Sequence, residues 1–195
     1  IKRFENEYPD RKLLPEDPAL SFINYLLEDF GDEWVTKYMF HYSWYFEEDA
    51  NNASTILPLS DLATDMDDGT LKEVKKMIHD RQHGRLWVVG SNDTTAKLID
   101  SSYRRFVKLM DDHLSVSRFL FGEKPSSADF AIYGQLTQLI GFDPNMKEDL
   151  VSLYMYTNQH DKALSLLKEM ESTSVLSQSM EFYKLKIQNL LQSVK

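Results

Sequence analysis

Apolar positions recur three and four residues apart through most of the chain, which predicts helix as the dominant element. Residues 1–7 read as the tail of a helix stopped before Pro9, because the residue ahead of a proline is pushed out of the helical region. Tyr8 to Glu16 carries Pro9 and Pro15 and reads as a connector. Asp17-Pro18 is a start signal, a capping carboxylate followed by proline at the first helical position. Ala19, Phe22, Ile23, Leu26, Leu27 and Phe30 follow at helical spacing. Gly31 kinks this helix or ends it, and the pattern then runs to about Glu48.

Residues 49–69 break the period. They hold Asn51-Asn52, Pro58, the Asp65, Asp67 and Asp68 cluster and Gly69, and predict a long loop of the kind that often borders a site. Thr70 and Glu73 match a capping box, and a helix to about His83 presents Leu71, Val74, Met77 and Ile78 on one face. Gly84 is the stop. Leu86-Trp87-Val88-Val89 is β-prone but has no partner strand, so it reads as a buried connector.

The clearest helix follows a cap within Ser91-Asn92-Asp93. Ile99, Tyr103, Phe106, Val107, Met110 and Leu114 fall on one stripe about 100° wide. Gly122 to Pro125 is a turn. Ser126 and Asp129 form a second capping box, opening a helix with Phe130, Ala131, Tyr133, Leu136 and Ile140. That helix is apolar on more than one side and is expected at the centre of the core. From about Pro144 the character changes to three short periodic segments, roughly 146–158, 161–171 and 176–193.

Composition narrows the function classes. At 195 residues, 42% hydrophobic and 12% aromatic, the chain has material for a core and is not a disordered segment. It has no cysteine, which excludes disulfides, thiolate zinc sites and a cysteine nucleophile within it. The net charge of −9 argues against nucleic acid as a partner, because phosphate binding needs clustered Lys and Arg. No apolar run approaches the roughly 20 residues of a membrane span. The first residues are not a signal peptide and lack an initiator Met, so a fragment or excised domain is expected, in the cytoplasm.

Candidate chemistry is sparse. His79 and His83 stand at i and i+4, a spacing able to chelate zinc. With Asp80 after the first His and no third ligand in view, solvated helix surface is the preferred reading and no metal is expected. Trp34, Tyr38, Phe40, His41, Tyr42, Trp44, Tyr45 and Phe46 are too dense for one helix face. They are core plus scattered surface aromatics, or they line an apolar pocket or subunit interface. His41 is a proton carrier or a hydrogen-bonded structural His. Glu28-Asp29, Asp32-Glu33 and Glu47-Glu48-Asp49 read as solvated surface, since adjacent helical residues do not face one another. Asn52-Ala-Ser54 and Asn92-Asp-Thr94 match the glycosylation triplet and are set aside for want of a signal peptide. No phosphate-binding glycine loop or serine nucleophile elbow is present, and no catalytic residue is assigned.

Three stretches together resemble the glutathione S-transferase family. IKRFENEYPDRKLLPEDP (1–18) is similar to the end of the thioredoxin-domain helix and the linker into the all-helical C-terminal domain. VTKYMFHYSW (35–44) is similar to a helix of a bacterial-type subgroup. FGEKPSSADF (121–130) resembles the family's G-x-x-P-S/T-x-A-D element, with Ser126 on the cap and Asp129 on its partner position. The resemblance covers about residues 1–144. It implies an all-α, GST C-terminal-like helical bundle with a central buried helix, residues 17–144, preceded by a helix end and linker at 1–16.

It also implies what the chain lacks. The family's thioredoxin-like half, which holds glutathione and the residue that stabilises its thiolate, is absent, so no catalytic residue and no cofactor carries over. Glutathione is a co-substrate of the intact family protein only. Trp34, Tyr38, His41 and Tyr42 are the candidates for the electrophile pocket and for the interface of a homodimer. Residues 145–195 depart from the family and are expected to form a short helical-hairpin tail. Tyr154 and Ala163, nine residues apart ahead of Leu164-Ser-Leu-Leu167, resemble a tetratricopeptide-type hairpin; ordinary closing helices are the preferred reading. The expected function is that of the C-terminal half of a glutathione-conjugating protein, inactive alone; the alternative is a non-enzymatic helical interaction scaffold.

Overall fold

The computed structural model describes residues 2–61, 67–156, 159–172 and 184. Among them the fold is all-α, a bundle of packed helices without a strand. After α1 (Lys2–Glu7) and a 3-10 turn at Pro9–Arg11, the chain enters α2 (Pro18–Phe30). The start is the one the sequence predicts. An Asp17 carboxylate oxygen accepts the N–H groups of Ala19 and Leu20 at 3.0 and 2.9 Å, and Pro18 takes the position where no donor is needed.

Gly31 does not end the helix. A π turn over Gly31–Val35 joins α2 directly to α3 (Thr36–Tyr45). The reason lies in α7 (Ser127–Phe142): a Cβ on Gly31 would stand 2.9 Å from the Ala131 Cβ and 3.1 Å from its backbone. Only glycine allows the widened turn to lie this close to α7.

The loop expected at 49–69 is instead mostly helix. Phe46 turns extended, and α4 (Glu47–Asp61) begins at once. Ala50, Ala53 and Leu57 recur at helical spacing and pack with Trp44, Leu86 and Ile78, and this burial outweighs the two asparagines. Pro58 is accommodated inside the helix and is fully buried. Glu47, Glu48 and Asp49 occupy the first turn, where the helix dipole favours acids. Residues 62–66, Asp65 among them, lie outside the described residues.

The next cap is shifted too. In α5 (Asp68–His83) the cap is Asp67, which accepts from the Gly69 and Thr70 N–H groups, while Thr70 donates its hydroxyl to the other Asp67 oxygen at 2.7 Å. Asp67 wins because it precedes a full turn of helix that Thr70 would forgo. The segment Leu86–Val89 is a 3-10 turn in which only Leu86 is buried; Trp87 is 76% exposed. The expectation of a buried connector therefore holds for one residue of the four. Gly90 closes the turn at φ +71°, in the left-handed region that favours glycine.

The cap of α6 (Ala96–Leu114) is Thr95 rather than a residue of the predicted triplet; Asn92 of that triplet instead orders the preceding turn, its side chain accepting from the Thr94 and Thr95 N–H groups. Ile99, Tyr103, Phe106 and Met110 of the predicted stripe enter the core, whereas Val107 and Leu114 face outward. The principal core joins them to Val35, Tyr38, Tyr42, Ile132 and Leu139. Helix α7 packs against α2, the π turn, α3 and α8 (Pro144–Tyr156), and leaves Phe130 and Tyr133 on an outer face. Helices α8 and α9 (His160–Ser172) form a hairpin with its own core of Val151, Ala163, Leu167 and Met170, against which Tyr154 packs. The third predicted segment, 176–193, lies almost wholly outside the described residues.

Candidate functional site

Helix α3 resolves the crowding of its aromatics by using two faces. At 100° per residue, Tyr38, His41, Tyr42 and Tyr45 share one side, and Met39, Phe40, Ser43 and Trp44 share the other.

The first side meets α6 and the turn before it through polar tips. Tyr38 Oη and Ser102 Oγ are 2.8 Å apart, Tyr42 donates to Asp100 Oδ1 at 2.7 Å, and Tyr45 donates to Asp93 at 3.0 Å. Between them His41, 1% exposed, pairs its Nδ1 with Ser91 Oγ at 2.7 Å and stacks on Tyr45 with ring centres 4.7 Å apart. Arg104 Nε binds both Asp100 oxygens at 3.1 and 3.0 Å. Burial and the bond to Asp100 push the Tyr42 phenol above its ordinary range, because ionising it would place two anions together. Burial holds the His41 imidazole below its ordinary value, with Asp100 offsetting part of the effect.

The four residues singled out by sequence therefore divide. Trp34 and Tyr38 line a shallow groove of about 300 Å³ with Phe30, Ser102, Arg105 and Phe106. Trp34 is 54% exposed there, and the Lys37 ammonium lies 4.6 Å from its ring centre. His41 and Tyr42 lie deeper in the α3–α6 seam. Ser126 and Asp129 stand together as predicted: the Asp129 carboxylate accepts from the Ser126 N–H and hydroxyl at 2.8 and 2.7 Å and from the Leu120 N–H at 3.0 Å.

The second side of α3 walls a cavity of about 320 Å³ shared with α4, α5 and α7. Its lining is apolar except for Ser43, Gln82, Gln138 and Asp143. Ser43 donates its hydroxyl to Asp143 Oδ2 at 2.7 Å. Asp143 is 1% exposed and Asp49 fully buried. Desolvation pushes the Asp143 carboxyl up to about 7; the Ser43 bond opposes, nearby Asp49 adds to the rise, and Lys147 opposes. A carboxyl titrating near neutrality beside an apolar cavity can bind a donor or exchange a proton.

Sequence reasoning missed this cluster. Asp143-Pro144 repeats the Asp17-Pro18 start signal, so a helix start was readable there, but nothing local says that its carboxyl meets Ser43. Asp49 was hidden in an acidic run that reads as solvated, and only the inward face of α4 sets it apart from Glu47 and Glu48.

His79 and His83 stack in parallel at 5.8 Å. His83 Nδ1 meets the Trp44 carbonyl at 3.0 Å, and His79 Nε2 lies 3.6 Å from Glu47 Oε1. Among the described residues no group of three side chains is placed to hold a metal ion. No protein-family model, curated protein or solved structure matches the chain.

Proposed function

We propose that this chain is the C-terminal helical half of a glutathione S-transferase-like protein, with the Trp34–Tyr38 groove as its electrophile-facing surface. The observation that carries the reading is the Asp129 cap. The stretch most similar to the family is the stretch whose side chains lock the loop at Leu120 onto the first turn of α7. In that reading a thioredoxin-like half lowers the thiol pKa of glutathione, since the thiolate is the nucleophile. This half holds an apolar electrophile beside it, a contribution of proximity. It dimerises through exposed apolar side chains, for which Leu20, Phe22, Ile23, Tyr25 and Leu26 on α2 are available.

The test is the full-length gene product assayed with glutathione and a generic aryl electrophile. Conjugation is expected from it and not from the 195-residue chain alone. Turnover by the chain alone, or a gene without a thioredoxin-like half, would overturn the reading. The second reading, a non-enzymatic docking scaffold, is favoured by the same exposed apolar side chains of α2 and by the separate core of the α8–α9 hairpin.

A further inference from the structure

The cavity behind α3 has a polarity of its own. Most of its wall is hydrocarbon or aromatic, contributed by Met39, Phe40, Trp44, Ile56 and Leu57. Two of its polar lining residues carry acceptors. One is the Asp143 carboxyl, held in place by the Ser43 hydroxyl at 2.7 Å. The other is Gln82 Oε1, a buried atom with no hydrogen-bond partner among the described residues. A buried acceptor left without a donor is costly, so this wall favours a ligand that brings N–H groups.

Charge selects further. Buried Asp49 adds negative potential at Asp143. The Lys147 ammonium opposes it, but Lys147 is bonded to Glu169 at 3.2 Å and its charge is shared. Low-dielectric walls strengthen the remaining field inside the cavity. Aromatic faces such as those of Phe40 and Trp44 also attract cations.

We propose that this cavity binds a small hydrophobic amine in its ammonium form, with N–H groups donated to Asp143 and Gln82 and the apolar body against Met39, Phe40, Trp44 and Leu57. The raised Asp143 carboxyl fits: desolvation first, and Asp49 second, disfavour its lone negative charge, and an ammonium beside it would offset both. A neutral isostere would bring fewer donors and no charge. A carboxylate of the same size would add an anion beside Asp143. The site is lined by different residues from the Trp34 groove and needs no glutathione, so its test is independent of the transferase reading.

The probe is phenethylamine, titrated calorimetrically into the 195-residue chain, with phenethyl alcohol and phenylpropionate as neutral and anionic comparators. Saturable binding of the amine is expected, with the alcohol and the acid each at least about tenfold weaker. Asp143→Asn should weaken amine binding at least about tenfold and Gln82→Met by roughly threefold or more, each folded by circular dichroism. Ala53→Phe, which fills the cavity and leaves the acceptors in place, should abolish binding. No saturable binding of the amine, equal binding of the alcohol, or a folded Asp143→Asn chain within twofold of the parent would overturn the assignment. If Asp143→Asn does not fold, Gln82→Met decides the matter by the same criterion.

Discussion

The Ser43 hydroxyl donates to Asp143 Oδ2 at 2.7 Å across 100 positions of sequence, tying α3 to the junction between α7 and α8. Both residues are buried, so the bond does two things. It joins the principal bundle to the start of the α8–α9 hairpin, and it restrains the rise of a carboxyl that desolvation drives upward. Ser43→Ala should remove the donor and leave the oxygen unpaired, costing about 1–3 kcal/mol. Urea denaturation at pH 7.5 reads this directly; no change in midpoint would mean that the bond carries no stability.

The set point of Asp143 gives a pH dependence of definite sign. The carboxyl titrates at about 7 in the fold against an ordinary 3.8. Between these values the native state holds a proton that the unfolded chain releases, so stability falls as pH rises from about 4 to 7 and is level above. The full effect is on the order of 4 kcal/mol. Asp143→Asn removes the titration. It should leave stability near that of the parent at pH 5 and raise it at pH 8, as urea midpoints at the two values would show.

Gly31→Ala tests the close approach of the π turn to α7. The added methyl would meet Ala131 at 2.9 Å on the side chain and 3.1 Å on the backbone, where no flexible group can give way. A loss of about 1–3 kcal/mol is expected from overpacking, far from the roughly 1 kcal/mol gain that alanine brings at an open helical site. Ala substitution at Gly134, which has nothing within 4 Å of its would-be Cβ, is the control and should stabilise.

The Asp129 cap predicts a graded pair of variants. Asp129→Ala strips acceptors from Ser126 and Leu120 and should cost about 2 kcal/mol, at the upper end for a cap because the bonds are part-buried. Asp129→Asn retains one acceptor oxygen and should recover part of that loss. Equal losses for the two would show that charge, not the acceptor geometry, secures the turn.

What could be read in advance follows physical scale. Caps at Asp17 and Ser126–Asp129, and the α6 core positions Ile99, Tyr103, Phe106 and Met110, are set by neighbours within one or two turns, and the sequence displays them. Helix α4 was hidden because Asn51, Asn52 and Pro58 speak locally for a loop, while what holds the helix is the contact of Ala50, Ala53 and Leu57 with Trp44, Leu86 and Ile78. The density of aromatics in 34–46 was visible, but its division into a hydrogen-bonded seam and a cavity wall depends on where α6 and α4 lie. The Ser43–Asp143 pair was the least legible of all, since each residue looks ordinary until the fold brings them together.

His41 supplies the last prediction, because its slope opposes that of Asp143 in an overlapping window. Burial holds its imidazole below the ordinary 6.5, so below that pH the unfolded chain takes up a proton that the native state refuses. Stability is then lost as pH falls from about 6.5 toward the native value, and is unaffected above. His41→Gln should abolish this loss while keeping a polar partner for Ser91. Parent and variant should therefore differ less at pH 5 than at pH 7.5. The two groups lie on opposite sides of α3 and share no hydrogen-bond partner among those described, so their effects should add within about 0.5 kcal/mol in the double variant. The His41→Gln/Asp143→Asn chain should show a flatter midpoint-against-pH curve than either single variant. If its curvature instead matches the parent's, neither buried group is responsible for the titration.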